Sequence, residues 1–348
     1  MQEEIAREIA EKLRLKLGGA EQQRLTKRYT ENTEAYHSYL KGRHILDKRT
    51  PETSEKSIEY FEQAIRLDPN YALAYADMSF AYASLGFFAR PPREVMPKAK
   101  EAVEKALKID DTLAEAHVSL TAIKDLFDWD WPGADRAIKR ALDLNPNSGD
   151  ARRQNALHLR NVGRFDEALA EVKRAVELDS VSVVYNRDVA QILYYARRYD
   201  EAIEQCHKTL ELDPNMPTVY GFLGRAYEHK GLYEQAIEAY LKSNVFFGLG
   251  PGAGAALREA YAVSGWKGFW RKALDLTKER AKQRYISPYR FAEIYARLGE
   301  RDQALHWLEK TYEERDYRIV VLHIDPTFDD LRSDPRYTAL LRRRNLAP

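Results

Sequence analysis

A repeat of 34 residues is the feature of this sequence that most restricts its fold. Alanines recur in register with that period, at Ala134, Ala168, Ala202, Ala236 and Ala304. The intervals between them are 34, 34, 34 and 68 residues, and the last is twice the period. Self-similarity with a period of about 20–50 residues is typical of chains built by stacking one supersecondary unit. We therefore predict a repeat array, in which each unit depends on its neighbours for burial.

Each repeat encodes two helices. In the second half of one unit, Ala202, Cys206 and Leu210 recur at helical spacing, with charged residues between them. The stretch over 219–231 shows the same spacing and ends at Gly231, a residue typical of helix C-termini. Proline follows the second helix at Pro69, Pro146 and Pro214 and prevents its continuation. The pattern predicts antiparallel helical hairpins that bury their apolar stripes by stacking.

The unit over 217–243 has small and aromatic residues at fixed offsets, namely Tyr220, Leu223, Gly224, Tyr227, Gly231, Ala236 and Tyr240. This set resembles the tetratricopeptide repeat. The resemblance implies an all-α, right-handed α-solenoid of about eight hairpins whose first helices line a concave groove. Helical repeats of 35 residues that read RNA are an alternative, but they are strongly basic and lack the Asp-Pro stop found here.

The repeat count predicts three regions. Residues 1–33 form an amphipathic helix (over 3–17) and a linker, 34–316 the repeat array, and 317–348 a C-terminal capping segment. The seventh unit has Trp270 where alanine is expected, which predicts looser packing or a register shift to Ala273. The apolar run Ile319–Ile324 has the composition of a short strand. After it, Ser333 or Asp334 is expected to cap a last helix that turns Leu340 and Leu341 inward.

The stretches NTEAYHSYLKGRHILDKRTPE and DPTFDDLRSDPRYTALLRR resemble the C-terminal repeat region of bacterial multi-domain signalling proteins. In that group the repeats follow a protein kinase, nucleotide cyclase or winged-helix regulator domain. The resemblance implies a role in bacterial signalling or transcription regulation. It implies a cytoplasmic location, or an extracytoplasmic one if the parent protein is membrane-anchored. The sequence has no kinase glycine-rich loop, HRD or DFG motif, so the activity of those domains is not expected of this chain.

Composition excludes several functional classes. The 55 basic and 54 acidic side chains give a net charge of +1, which argues against nucleic acid as a partner. The single cysteine, Cys206, excludes an internal disulfide and a cysteine-rich zinc site, and we expect it to fill the core. No run of 18 apolar residues is present, so membrane insertion is not predicted. The eight histidines lack metal-ligand spacing, and we predict neither metal nor cofactor.

Two stretches suggest chemistry that their context does not support. The glycine-rich GLGPGAG over 248–254 lacks the Gly-Lys-Ser/Thr of a phosphate-binding loop and a preceding strand, so we interpret it as a joint between hairpins. Calcium binds clusters such as Asp325, Asp329, Asp330 and Asp334, but the spacing is not that of an EF-hand. No nucleophile can be matched to a base, and the chain is predicted not to be an enzyme.

Register from the alanine positions gives the candidate partner-binding residues of the groove, which are Arg153, Arg160, Arg187, Gln191, Tyr194, Arg225, Glu228, Tyr289 and Glu293. Arg153, Arg187 and Arg225, on successive first helices, form a predicted arginine ladder for an acidic peptide or C-terminal carboxylate. The alternative is solvated surface with arginine–glutamate pairs inside the array. The predicted function is a scaffold for a protein partner. The competing hypothesis is a ligand-sensing array in which a small molecule changes its curvature or drives self-association.

Overall fold

The computed structural model describes residues 29–46, 51–88, 90–243 and 253–343. Within these ranges the chain forms sixteen α-helices and no β-strand. The predicted helix over 3–17 and most of the glycine-rich stretch over 248–254 lie outside the described residues.

The first eight helices are α1 (Thr33–Leu46), α2 (Pro51–Leu67), α3 (Ala72–Phe88), α4 (Pro92–Ile109), α5 (Ala114–Ile123), α6 (Trp131–Leu144), α7 (Gly149–Asn161) and α8 (Phe165–Leu178). The next eight are α9 (Val183–Tyr195), α10 (Tyr199–Leu212), α11 (Pro217–His229), α12 (Tyr233–Lys242), α13 (Ala253–Ala281), α14 (Pro288–Leu298), α15 (Arg301–Glu313) and α16 (Pro335–Arg342).

Consecutive helices pair into hairpins, and the hairpins stack. Each odd-numbered helix from α1 to α11 packs mainly against the even-numbered helix that follows it, and α14 packs against α15. The first helices also contact those of the next unit, as α9 contacts α11. The alanines at the 34-residue spacing are fully buried, among them Ala134, Ala202 and Ala304. The predicted solenoid of stacked hairpins is confirmed.

The turns between paired helices recur with the same period. Gly163, Gly231, Gly265 and Gly299 have φ between +62° and +80°, a region that glycine enters without a steric penalty. Two positions of this series hold other residues: Trp129 has φ 58° and Arg197 has φ +63°. A residue other than glycine in this conformation is a local strain that the rest of the molecule must compensate.

The seventh unit is a hairpin without a loop. The helical stretch of α13 is broken at Ser264 and Gly265, where the backbone leaves the helical region. The chain folds back on itself here, so that a side chain on Gly268 would collide with the carbonyl oxygen of Ala260. In a straight helix, residues eight apart would be separated by about 12 Å. Trp270 is fully buried, as is Ala273, so the looser packing considered for this unit is not observed.

The buried apolar residues form two main cores. One runs from Ala35 to Ile123, and the other from Trp129 to Leu341. Between them the chain makes a π-helical turn over Lys124–Asp128 and then places Trp129 at φ 58°. The second core includes the C-terminal residues, so the end of the chain belongs to the packed array.

The described part of the C-terminal region consists of two 3₁₀ helices, one α-helix and the turns between them. The prediction of a short strand over Ile319–Ile324 is wrong, because Tyr317–Val321 and Pro326–Leu331 form 3₁₀ turns. Burial accounts for the difference: Ile319 and Leu322 are fully buried, so tertiary packing and not strand propensity decides the backbone. Asp334 caps α16 as expected, and Leu340 and Leu341 are buried.

Candidate interaction groove

The nine predicted groove residues lie on the first helices of four units. Arg153 and Arg160 are on α7, Arg187, Gln191 and Tyr194 on α9, Arg225 and Glu228 on α11, and Tyr289 and Glu293 on α14. Tyr194 and Glu293 are completely buried, and Arg160 and Arg225 are each 7% exposed. Most of these side chains therefore contact the protein itself more than solvent.

Two members of the arginine ladder share one carboxylate. Arg153 Nε lies 2.5 Å from Asp188 Oδ2, and Arg187 Nη2 lies 2.5 Å from Asp188 Oδ1. Burial alone raises the pKa of the Asp188 carboxyl, but the two guanidinium groups lower it below its usual value. The two guanidinium groups thus share one buried carboxylate on the inner face, and Asp150 adds a further negative charge near Arg153.

Arg160 is held by amide oxygens. Its Nη1 donates to Gln191 Oε1 at 2.5 Å, and its Nη2 donates to Asn161 Oδ1 at 2.6 Å. The guanidinium also lies 5.6 Å from the centre of the Tyr195 ring. Burial lowers the pKa of Arg160, as expected for a cation removed from water and bonded to neutral acceptors.

The third member of the ladder belongs to a buried ion cluster. Arg225 donates to Glu293, which lies 68 residues away on α14. Arg290 Nη1 lies 3.4 Å from the other oxygen of Glu293. Burial by itself raises the pKa of Glu293, but Arg225, Arg290 and Arg297 outweigh it and lower that pKa to about 2.

Glu228 forms the other half of this cluster. Arg297 Nε donates to its two oxygens at 2.9 and 3.0 Å. Tyr240 Oη donates to Glu228 at 2.6 Å, and Trp266 Nε1 donates to it at 3.3 Å. The guanidinium of Arg297 also lies 4.6 Å from the centre of the Trp270 ring. The sixth and eighth units are therefore joined by ion pairs across the inner face, and Trp266 of the seventh joins them by a hydrogen bond.

The C-terminal residues lie against the same face. We call residues 317–331 the inner segment. Tyr289 Oη donates to Asp325 Oδ2 at 2.8 Å, and Arg297 Nη2 donates to Thr327 at 3.4 Å. Phe328 is fully buried, with its ring centre 5.3 Å from that of Tyr289. The groove formed by α9, α11 and α14 is thus filled by the chain itself.

Contacts between distant units close this part of the array. Arg315 donates to the carbonyl oxygen of Phe127, and its guanidinium lies 4.5 Å from the centre of the Trp129 ring. The ring centres of Tyr312 and Trp129 are 5.1 Å apart. These residues join the end of the eighth unit to the turn within the third. A pocket beside this junction, next to Tyr317, holds about 10 Å³, roughly the space of one water molecule.

The sequence register identified the helices of this face but missed several of their partners. Asp188 and Arg290 were not predicted, although both are buried and charged. Asp325 was considered only as part of an acidic cluster, and it proves to be bound by Tyr289. The signal available in the sequence was the excess of arginine at inner positions, which requires acidic residues nearby.

Among the described residues, no group of acidic, histidine or cysteine side chains is arranged to hold a metal ion. The helices of the described ranges include none that is long and apolar enough to cross a membrane. Cys206 is completely buried, and burial raises the pKa of its thiol to about 12.

Comparison with known proteins agrees with the stacked-hairpin geometry. Residues 130–182 and 188–253 match one family model described as tetratricopeptide repeat, and residues 53–71 match a second with the same description. The chain contains tetratricopeptide repeats. This is the resemblance that the offsets over 217–243 indicated.

Similarity to individual proteins is weaker than similarity to the repeat. The transcriptional regulator HilA of Salmonella typhimurium is 26% identical over 137 residues, which cover 38% of this chain and 24% of the regulator. The match thus spans about a quarter of that relative. The yeast Tom70 structure has a TM-score of 0.52 at 16% identity and covers 91% of this chain and 69% of that one. The type IV pilus biogenesis factor PilW has a TM-score of 0.49 at 16% identity, covering 63% and 96%. The Tom70 likeness supports the fold alone.

Proposed function

We propose that this chain is a non-enzymatic scaffold that binds a protein or peptide partner on its inner face. The observation that carries the proposal is the presence of tetratricopeptide repeats, a unit found in protein-interaction scaffolds. The inner face carries arginine and tyrosine side chains on successive helices, and both residue types are enriched at binding hot spots.

The partner is expected to touch the fourth and fifth units, where two inner-face arginines remain partly exposed. Arg153 and Arg187 keep 15% and 18% of their side-chain surface exposed beside the carboxylate of Asp188. These partly exposed guanidinium groups favour an acidic partner. The cellular role is in bacterial signalling or transcription regulation in the cytoplasm, which the 26% identity to a transcriptional regulator supports.

Affinity capture with three forms of the full chain tests the proposal. Arg187→Gln removes one inner-face charge, and Arg174→Gln removes one from the outer surface of α8, where the side chain is 58% exposed. A partner held by the native chain and by Arg174→Gln, but lost by Arg187→Gln, is expected. A partner retained equally by all three forms would exclude the inner face as the binding site.

A further inference from the structure

We propose that the inner segment, residues 317–331, is an intramolecular ligand of the groove, and that the surface of α9, α11 and α14 binds peptides with the pattern Asp-x-x-Phe-Asp. The proposal rests on the scaffold function and names the chemistry of the partner that this part of the groove accepts. The occupant that the groove already holds defines that chemistry.

Asp325 and Phe328 are both held by side chains of the first helices. Tyr289 receives the carboxylate of Asp325 at 2.8 Å, and Arg225 lies 3.9 Å from the same oxygen. The ring of Phe328 packs edge-on against that of Tyr289, at an interplanar angle of 73°. These receptors lie on two different first helices, α11 and α14. Recognition through side chains spread over several units is how a groove binds a peptide.

The last contact of the stretch comes from a strained residue. Arg197 donates from both terminal nitrogens to the carboxylate of Asp329, at 2.5 and 2.7 Å. It occupies the turn position that holds glycine in the units at 163, 231, 265 and 299, and its φ is +63°. An arginine is disfavoured in that conformation, and here the same residue supplies the guanidinium that binds Asp329. Glycine would fit the turn better but would leave Asp329 without this two-bond partner.

Contacts within the Asp-x-x-Phe-Asp stretch itself stabilise its conformation. Asp325 Oδ1 accepts the backbone N–H of Thr327 at 2.9 Å, which caps the 3₁₀ turn over Pro326–Leu331. Pro326 fixes the first position of the turn. A short free peptide therefore carries the local signals that shape it for the groove.

Attachment in the same chain gives the inner segment an advantage over any free peptide. A tethered ligand acts at an effective concentration of about millimolar, so a peptide in solution competes poorly. The native chain is therefore expected to be closed to such peptides. Weakening of the inner segment, by substitution or by a stronger partner, opens the site.

The test uses the full chain and a fluorescent peptide of residues 324–331, IDPTFDDL, with binding followed by anisotropy. Phe328→Ala removes the buried ring of the tethered copy, and this variant is expected to bind the peptide at least tenfold more tightly than the native chain. Adding Arg197→Gly should lower that affinity at least tenfold, because it removes the guanidinium and leaves the turn with its usual residue. Adding Arg198→Ala, next to it in sequence and paired with Glu201, should leave the affinity unchanged.

Folding of each variant is measured by circular dichroism before titration. A folded Phe328→Ala chain that binds the peptide no better than the native chain overturns the proposal. If Phe328→Ala does not fold, Asp329→Ala takes its place, since that side chain is 38% exposed and its loss weakens only the last contact. No gain in binding by folded Asp329→Ala also overturns the proposal. Capture of a partner that depends on Arg187 is a separate measurement, so the scaffold function stands or falls independently.

Discussion

Replacement of Glu293 by glutamine tests the buried ion cluster most directly. The carboxylate lies completely buried, between Arg225 and Arg290. Glutamine has nearly the same shape but no charge, so the arginines lose the negative charge that compensates them. Removal of one partner of a buried ion pair typically costs about 3–5 kcal/mol of folding free energy.

The pKa of Glu293 gives a second value for the folding free energy that its charge contributes. Its pKa falls from the ordinary 4.5 to about 2 in the folded chain. A difference of this size corresponds to about 3 kcal/mol of stability, since each pH unit is worth about 1.4 kcal/mol. Because the folded pKa is lowered, this stability is present above pH 4.5 and is lost as the pH falls towards 2. The two routes agree on about 3 kcal/mol at neutral pH.

Denaturation by urea, followed by tryptophan fluorescence, measures this effect. All five tryptophans, at 129, 131, 266, 270 and 307, belong to the second core or pack against it. Glu293→Gln should lose about 3 kcal/mol at pH 7, and its difference from the native chain should shrink towards pH 2. Glu238→Gln makes the same chemical change at a side chain that is 56% exposed and should cost less than about 1 kcal/mol. Equal stability of the native chain and Glu293→Gln at pH 7 would refute the reasoning.

Two further substitutions examine the repeat packing and the first core. Ala236→Leu should destabilise the chain by about 1–3 kcal/mol, because that alanine is fully buried between helices, whereas Glu238→Leu should leave the thermal midpoint nearly unchanged. Burial raises the pKa of Asp77 to about 6, despite the opposing effect of Arg43. Its raised pKa stabilises the fold below pH 3.8, and that contribution is lost as the pH rises through 6. Asp77→Asn should therefore be more stable than the native chain at pH 7, by about 1–3 kcal/mol, and should match it at pH 4 by far-ultraviolet circular dichroism; a variant less stable at pH 7 would contradict this.

The hairpins were predictable because their determinants are local and repeated. The regular spacing of Ala168, Ala202 and Ala236 predicts that the three residues have equivalent positions in successive hairpins, and all three are fully buried. The apolar periodicity of a helix and the residues that end it lie within one unit, so the sequence alone is enough to predict the hairpin. Arg197 lies 34 residues after Gly163 and 34 before Gly231, so the period marks its turn position, but only the structure shows that its backbone keeps a positive φ.

The contents of the groove were not predictable in the same way. The register placed Arg225 and Glu293 on the inner face, but their contact joins residues two repeats apart through the curvature of the array. The run Ile319–Ile324 has strand composition, and its burial against other units makes it helical instead. Whether the nine groove residues bind a partner stays a prediction, since their pairing inside the chain is what the geometry establishes.

The contact of Arg315 with Phe127 and Trp129 changes the mechanics of the molecule. An open solenoid behaves as a spring, because each joint between hairpins bends slightly and the deflections add along the coil. Here the contacts of Arg315 join the eighth unit to the third, so the array between them cannot extend until those contacts break. The units from the third to the eighth should resist mechanical extension as one rigid body, and the contacts of Arg315 should be the first to break.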